Sequence, residues 1–147
     1  MRRIDHIIIH CSATREDRDY TPGQLEADHR RRGFLGIGYH YYIRRDGTVL
    51  STRPLAQPGA HCRGHNAHSI GICYEGGLDA RGQPRDTRTP PQRAALRALV
   101  AQLLKRLNGE ARVCGHRDLS PDLDGDGQVE PEEWTRQCPC FEVGREL

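Results

Sequence analysis

The segment from Gly115 to Cys140, GHRDLSPDLDGDGQVEPEEWTRQCPC, carries two chemically different sets of metal-ligand side chains. His116 and Cys138 offer the nitrogen and sulfur donors that zinc takes in proteins. Between them, oxygen donors follow the spacing D-x-D-x-D-G-x5-E, which is that of a calcium loop. The residues of this second set are Asp122, Asp124, Asp126, Gln128, Glu130 and Glu133. The segment therefore predicts zinc ligands at its two ends and a calcium site between them.

The oxygen-rich stretch has a second interpretation, an acidic, glycine-rich surface turn that holds no ion. Pro121 precedes the first oxygen ligand and opposes an entering helix, whereas Pro131 is acceptable at the start of an exiting helix. A complete helix-loop-helix hand is therefore not expected. Residues 118–135 are predicted to be a lone EF-hand-like loop inserted into a larger domain.

Length and charge limit the classes of protein that need to be considered. The chain has 147 residues, which predicts a single domain over 1–147. Its 22 basic and 20 acidic residues give a formal charge of +2, too mild to favour nucleic acid as the partner. No apolar run approaches the roughly 20 residues of a membrane span, and the MRRIDHIIIH end is too short and charged for a signal peptide. Synthesis in the cytoplasm and a monomer are the expectations.

The hydrophobic pattern predicts an α/β fold with a mixed central β-sheet flanked by helices. Strands are predicted at 5–10, 39–44, 48–51, 69–77 and 111–114, and helices at 21–33 and 89–107. His10 and His116 each follow an apolar strand, where a side chain is held rigidly at the rim of the sheet. His6 points to the same face as His10 but lies deeper in its strand, so it ranks below His10 as a ligand. In the second strand, Tyr39 and Tyr41 are predicted to share one face.

Other residues leave alternatives open. His61, His65 and His68 lie in a loop without regular ligand spacing, so a polar groove lining is favoured over a metal site. Glu75 ends a strand and is a candidate base, although an exposed carboxylate without a role is favoured. The six cysteines, in a chain lacking an export signal, favour free thiols and metal ligands over disulfides.

Two histidines and one cysteine would leave the fourth position of a zinc ion open to water, as in catalytic zinc sites. Spacing alone does not select such a trio from eight histidines and six cysteines.

A family resemblance does select it. The stretches IIIHCSAT, IGYHYYIRRDGTV, HCRGHNAHSIGICYEGG, TPPQRAALRALVAQLL, GHRDLSP and RQCP resemble the zinc N-acetylmuramoyl-L-alanine amidases of the phage T7 lysozyme and peptidoglycan-recognition type. These stretches cover nearly the whole chain in the family's order. The resemblance implies zinc held by His10, His116 and Cys138, and cleavage of the amide bond between muramic acid and the first alanine of peptidoglycan. It implies a catalytic role for Tyr39 at the tetrahedral intermediate, and it places His61 and Asn66 where they contact the glycopeptide or support the site.

Three features depart from the family. Arg136 stands in place of the usual lysine; it can stabilise an oxyanion as a permanent cation but cannot serve as a tuned proton donor. Cys73 occupies a strand position where some relatives carry an acidic residue, as in the phage-type members. The third departure is the 118–135 insertion. We hypothesise that calcium folds this span and so places Cys138 and Arg136 against the zinc, since a long open span is costly to close.

Two other functions remain as alternatives to the amidase. One is a peptidoglycan-recognition module that binds a muropeptide without cutting it; the cysteine ligand, which non-catalytic relatives usually lose, favours the enzyme. The other is a regulator of a second protein, for which the sequence offers no specific residue. A hydrolase made in the cytoplasm would reach the cell wall after release or secretion.

Overall fold

The computed structural model describes residues 2–120, 129, 131, 134 and 136–147. The strands are β1 (His6–Cys11), β2 (Thr14–Arg15), β3 (Tyr41–Ile43), β4 (Val49–Ser51), β5 (Ser69–Tyr74), β6 (Gly77–Leu78) and β7 (Arg112–Gly115), and the α-helices are α1 (Pro22–Arg31), α2 (Pro90–Arg106) and α3 (Val143–Glu146). Single 3-10 turns cover Asn66–His68 and His116–Leu119. The proposed calcium ligands Asp122, Asp124, Asp126, Gln128, Glu130 and Glu133 lie outside the described residues.

Five of the described strands form one sheet in the order β4-β3-β5-β1-β7. β1 pairs in parallel with β5 and β7, β5 pairs in parallel with β3, and β3 pairs antiparallel with β4. This arrangement confirms the predicted mixed central sheet. β2 and β6 form a separate two-residue parallel pair, and α3 is a single turn. Neither was predicted, because elements this short carry no periodic signal.

The two long helices begin where the sequence predicts. Thr21 and Thr89 are N-caps whose side chains accept hydrogen bonds from the backbone N–H groups of Gln24 and Gln92. In each case the side-chain oxygen of the glutamine accepts a hydrogen bond from the backbone N–H of the capping threonine, which completes a capping box. Gln92 is fully buried, and its Nε2 donates to the carbonyl of Glu75 at 2.9 Å, so the start of α2 is fixed to the end of β5.

The two faces of the sheet differ in what covers them. Ile7 and Ile9 of β1 pack in the cluster that contains the apolar stripe of α2, Leu96, Leu99, Val100 and Leu103. Ile8 packs in a separate cluster with Cys62 and Cys114. Because side chains alternate along a strand, His10 shares the face of Ile8. The site therefore opens on the side of the sheet away from α2.

The state of the cysteines agrees with the expectation from the sequence. All six cysteines are free thiols, as predicted, and Cys73 and Cys114 are buried. Among the described helices, none has the length and apolar character required to cross a bilayer.

Candidate metal centre and cleft

The structure brings His10, His116 and Cys138 together. One ligand atom from each of these side chains lies within 4.8 Å of the others, and the two imidazole centroids are 4.5 Å apart. The strand register explains the pairing of the histidines, because Ile9 of β1 lies opposite Gly115 of β7 and each histidine follows directly. Cys138 comes from a distant segment.

Two backbone hydrogen bonds hold Cys138 in place. The N–H of Arg117 donates to the Cys138 carbonyl at 2.9 Å, and the N–H of Cys11 donates to Cys138 Sγ at 3.1 Å. The backbone of Cys11 therefore fixes the position of the Cys138 sulfur beside His10. A hydrogen bond between the Cys11 and Cys138 side chains, together with burial, raises the pKa of Cys11 well above its usual value. Cys11 therefore stays a protonated thiol beside Cys138.

The protonation states of the two histidines suit metal binding. Burial is the main cause of a strongly lowered pKa of His10, and burial with the nearby Arg136 lowers the pKa of His116 to about 4. Both rings are thus neutral at pH 7, and a neutral imidazole offers the lone pair that a metal requires. Tetrahedral zinc with bonds of about 2.0–2.3 Å separates its ligand atoms by about 3.5 Å, so small side-chain movements would complete the set.

A cleft of about 710 Å³ surrounds the trio. Tyr39, His61, Asn66 and Arg136, all of them candidates from the sequence, line this cleft with the three convergent residues. The ring centroid of Tyr39 lies 5.0 Å from that of His10. Burial raises the pKa of Tyr39 well above its usual value, so its hydroxyl stays protonated and able to donate.

Arg136 and Asn66 both line the cleft. Arg136 is exposed, and among the described residues no carboxylate forms an ion pair with it. The side-chain oxygen of Asn66 accepts the backbone N–H groups of His61 and Cys62, both at 2.9 Å. Asn66 thus shapes the loop that carries His61.

Some histidines do not join the centre. His6 bonds to Asp5 at 2.7 Å and contacts the ring of His65, and it is not one of the three converging ligands. His29 of α1 also lines the cleft, and it was not predicted as a site residue. Its Nδ1 accepts the N–H of Gly38 at 2.8 Å, and its ring lies 5.4 Å from that of Tyr39. The available signal was that His29 lies four residues after Leu25, on the buried face of the helix, where an apolar residue is normal.

Two sequence expectations were wrong. Glu75 is 1% exposed, and its carboxylate accepts Arg44 Nε at 2.7 Å and the N–H of Tyr20 at 2.7 Å. It is a buried ion-pair partner, and within the described residues it does not line the cleft of His10. Tyr39 and Tyr41 do not share a face, because β3 begins only at Tyr41, and the alternation does not extend back to Tyr39. Tyr41 packs with the α2-side cluster, whereas Tyr39 packs with Tyr42 and Cys73.

Comparison with known proteins gives a consistent result. The family model described as N-acetylmuramoyl-L-alanine amidase matches residues 1–139. The endolysin of Klebsiella phage KP32 is 37% identical over 139 residues, which cover 95% of this chain and 82% of that protein. The endolysin of Escherichia phage T7 is 34% identical over 141 residues, which cover 96% of this chain and 83% of that protein.

A solved structure agrees with these relatives. The N-acetylmuramoyl-L-alanine amidase LysC from Clostridium intestinale URNW is 30% identical and superposes with a TM-score of 0.73, covering 99% of this chain and 82% of that one. The resemblance predicted from the sequence motifs is confirmed. With its mixed sheet and its two histidines and one cysteine at the floor of a cleft, the chain belongs to the N-acetylmuramoyl-L-alanine amidase family.

Proposed function

We propose that this chain is a zinc-dependent amidase that hydrolyses the bond between N-acetylmuramic acid and the L-alanine of the peptidoglycan stem peptide. The observation that carries the proposal is the convergence of His10, His116 and Cys138 within 4.8 Å in a member of the amidase family. Two neutral imidazoles and a thiolate are a donor set that fits zinc. These three residues would hold the ion on the cleft floor.

Tyr39 and Arg136 act on the scissile carbonyl together with the metal. Zinc bound there supplies Lewis-acid chemistry, which polarises a carbonyl and makes water a better nucleophile. Tyr39 donates its hydroxyl hydrogen to the oxygen of the scissile carbonyl as that oxygen gains charge. Arg136, a permanent cation at the cleft, stabilises the same charge from the solvent side. The oxygen of one water molecule bonds to the carbonyl carbon and the amide C–N bond breaks. The water oxygen ends in the carboxylate of the lactyl group, and a proton of the water passes to the nitrogen that leaves as the amine of L-alanine.

The product test separates cutting from binding. Purified sacculi are incubated with the protein, and the released peptides are examined for new L-alanine amino termini. We expect stem peptides with free L-alanine, and loss of their release when a zinc chelator is present. Retention of the protein on sacculi without release of peptide would contradict the amidase and would support the alternative of a muropeptide-binding module.

We also propose that calcium bound by residues 118–135 orders the span between His116 and Cys138. The proposal rests on the spacing of Asp122, Asp124, Asp126, Gln128, Glu130 and Glu133, which matches a calcium loop. Mild calcium chelation should lower the activity and weaken zinc binding without abolishing it. Unchanged activity in a variant that combines Asp124→Ala and Asp126→Ala would reject the idea.

The place of action follows from the substrate. Peptidoglycan lies outside the cytoplasmic membrane, so a chain made in the cytoplasm would act on the wall after release or secretion. Producing the protein inside bacterial cells with and without a permeabilising agent tests this. We expect lysis only when the membrane is permeabilised, and lysis without the agent would contradict the expectation.

A further inference from the structure

The imidazole of His61 is hydrogen-bonded at both of its nitrogens. Its Nδ1 lies 2.8 Å from His10 Nε2, and its Nε2 lies 3.2 Å from Ser69 Oγ. All three side chains are buried, and Ser69 is fully so. A chain of hydrogen bonds therefore runs from the first residue of β5 through the loop histidine to one of the candidate zinc ligands.

The fold holds this ring closely. A Cβ placed on Gly71 would lie 2.6 Å from carbons of the His61 ring, and one on Gly59 would lie 2.4 Å from its Cδ2. Both positions accordingly require glycine, and the ring occupies the space that their missing side chains leave. Asn66 fixes the backbone at His61 and Cys62 from the other side.

The contacts also determine which nitrogen donates and which accepts in each hydrogen bond of His61 once a metal is bound to His10. His10 Nε2 faces His61, so His10 Nδ1 is the nitrogen left to bind a metal. A neutral ring that binds metal through Nδ1 carries its hydrogen on Nε2. His61 Nδ1 must then accept this hydrogen, and the remaining N–H of His61 donates to Ser69 Oγ. One set of tautomers satisfies every partner.

We infer that His61, backed by Ser69, is a positioning residue that orients His10 toward the metal, and that it is not a substrate contact. The inference rests on the proposed zinc site and deepens it. Outer-shell partners of this kind restrict the ring orientation and tautomer of a metal ligand, and their loss typically costs about 10-fold to 100-fold in metal affinity.

The test measures the Kd of zinc alone, by competition with a chromophoric chelator, together with the Tm of the metal-free protein. His61→Leu removes the acceptor, and we expect zinc affinity to fall by about 10-fold to 100-fold. His61→Asn keeps an oxygen near the position of Nδ1, and it should recover most of this loss. Ser69→Ala should weaken binding by about threefold. His68→Asn, an exposed histidine of the same loop, is the matched control and should leave the Kd unchanged.

A double variant checks that His61 and Ser69 act through a single series of hydrogen bonds to His10. Once His61 is leucine, Ser69→Ala should weaken zinc binding no further, because its partner is gone. A zinc Kd for His61→Leu equal to that of the wild type, with a raised KM, would overturn the inference and make His61 a substrate contact. The inference would also be overturned, in favour of a structural role, if His61→Leu and His61→Asn lost zinc affinity equally and both had a lowered Tm. Wild-type protein that binds no zinc would instead contradict the proposed metal centre itself.

Discussion

Replacing Tyr39 by phenylalanine tests the role of a single hydroxyl group. The ring would keep its position beside His10 and His29, at centroid distances of 5.0 and 5.4 Å, because phenylalanine has the same ring. What is lost is one donor toward the developing oxyanion. Removing such a donor costs about 100-fold to 1,000-fold in kcat, or about 2.7–4 kcal/mol in activation free energy. Since zinc and Arg136 share this charge, we expect the lower end, about 100-fold.

The assay compares kcat and KM on a soluble muropeptide with zinc content measured on the same samples. KM and zinc content should change little, because the hydroxyl acts mainly in the transition state. Tyr41→Phe is the matched control, since Tyr41 packs with the α2-side cluster, and its kcat should stay within about twofold of wild type. A kcat for Tyr39→Phe within about threefold of wild type, with zinc retained, would refute the assignment. A loss of kcat that merely follows lost zinc would refute it as well.

Three further predictions follow from the site and the sheet. Arg136→Lys should keep most of the kcat, whereas Arg136→Gln should lower it by about 10-fold, because the position supplies positive charge; equal rates in the two variants would contradict this role. Gly71→Ala should lower the Tm and weaken zinc binding together, since its Cβ would lie 2.6 Å from the His61 ring, and a variant with normal zinc affinity would show that the slot is not needed. Burial lowers the pKa of His40 to about 4, so unfolded His40 takes up a proton below about 6.5 while the folded residue does not, and stability falls as the pH falls through this window. Between pH 7.5 and 5 the wild type should lose about 2 kcal/mol of unfolding free energy relative to His40→Gln, and parallel pH profiles of the two proteins would contradict this.

The parts of the site that lie on regular elements were predictable from the sequence. The apolar run before His10 and the capped start of α2 are local signals, and the structure places both elements as expected. The pairing of His10 with His116 follows from two parallel strands in register. Family resemblance was nonetheless needed to select these two histidines, because His6 has the same strand character and differs only in depth.

The parts that depend on distant contacts were not predictable. His61 lies 51 residues from His10 in a loop without periodic spacing, so nothing local indicates that the two rings meet. Glu75 was expected to be exposed because a charged residue at a strand end normally faces water. Its burial depends on Arg44 and on the backbone of Tyr20, which come from other segments of the chain. The position of Tyr39 depended on where β3 begins, and strand boundaries are poorly defined by sequence alone.

The most direct test of the zinc centre is metal analysis by mass spectrometry of protein purified without chelator and dialysed against metal-free buffer. The geometry of His10, His116 and Cys138 predicts one zinc ion per chain in the wild type and almost none in Cys138→Ala. Wild-type protein without zinc, or a Cys138→Ala variant that keeps a full zinc ion, would contradict the proposed centre.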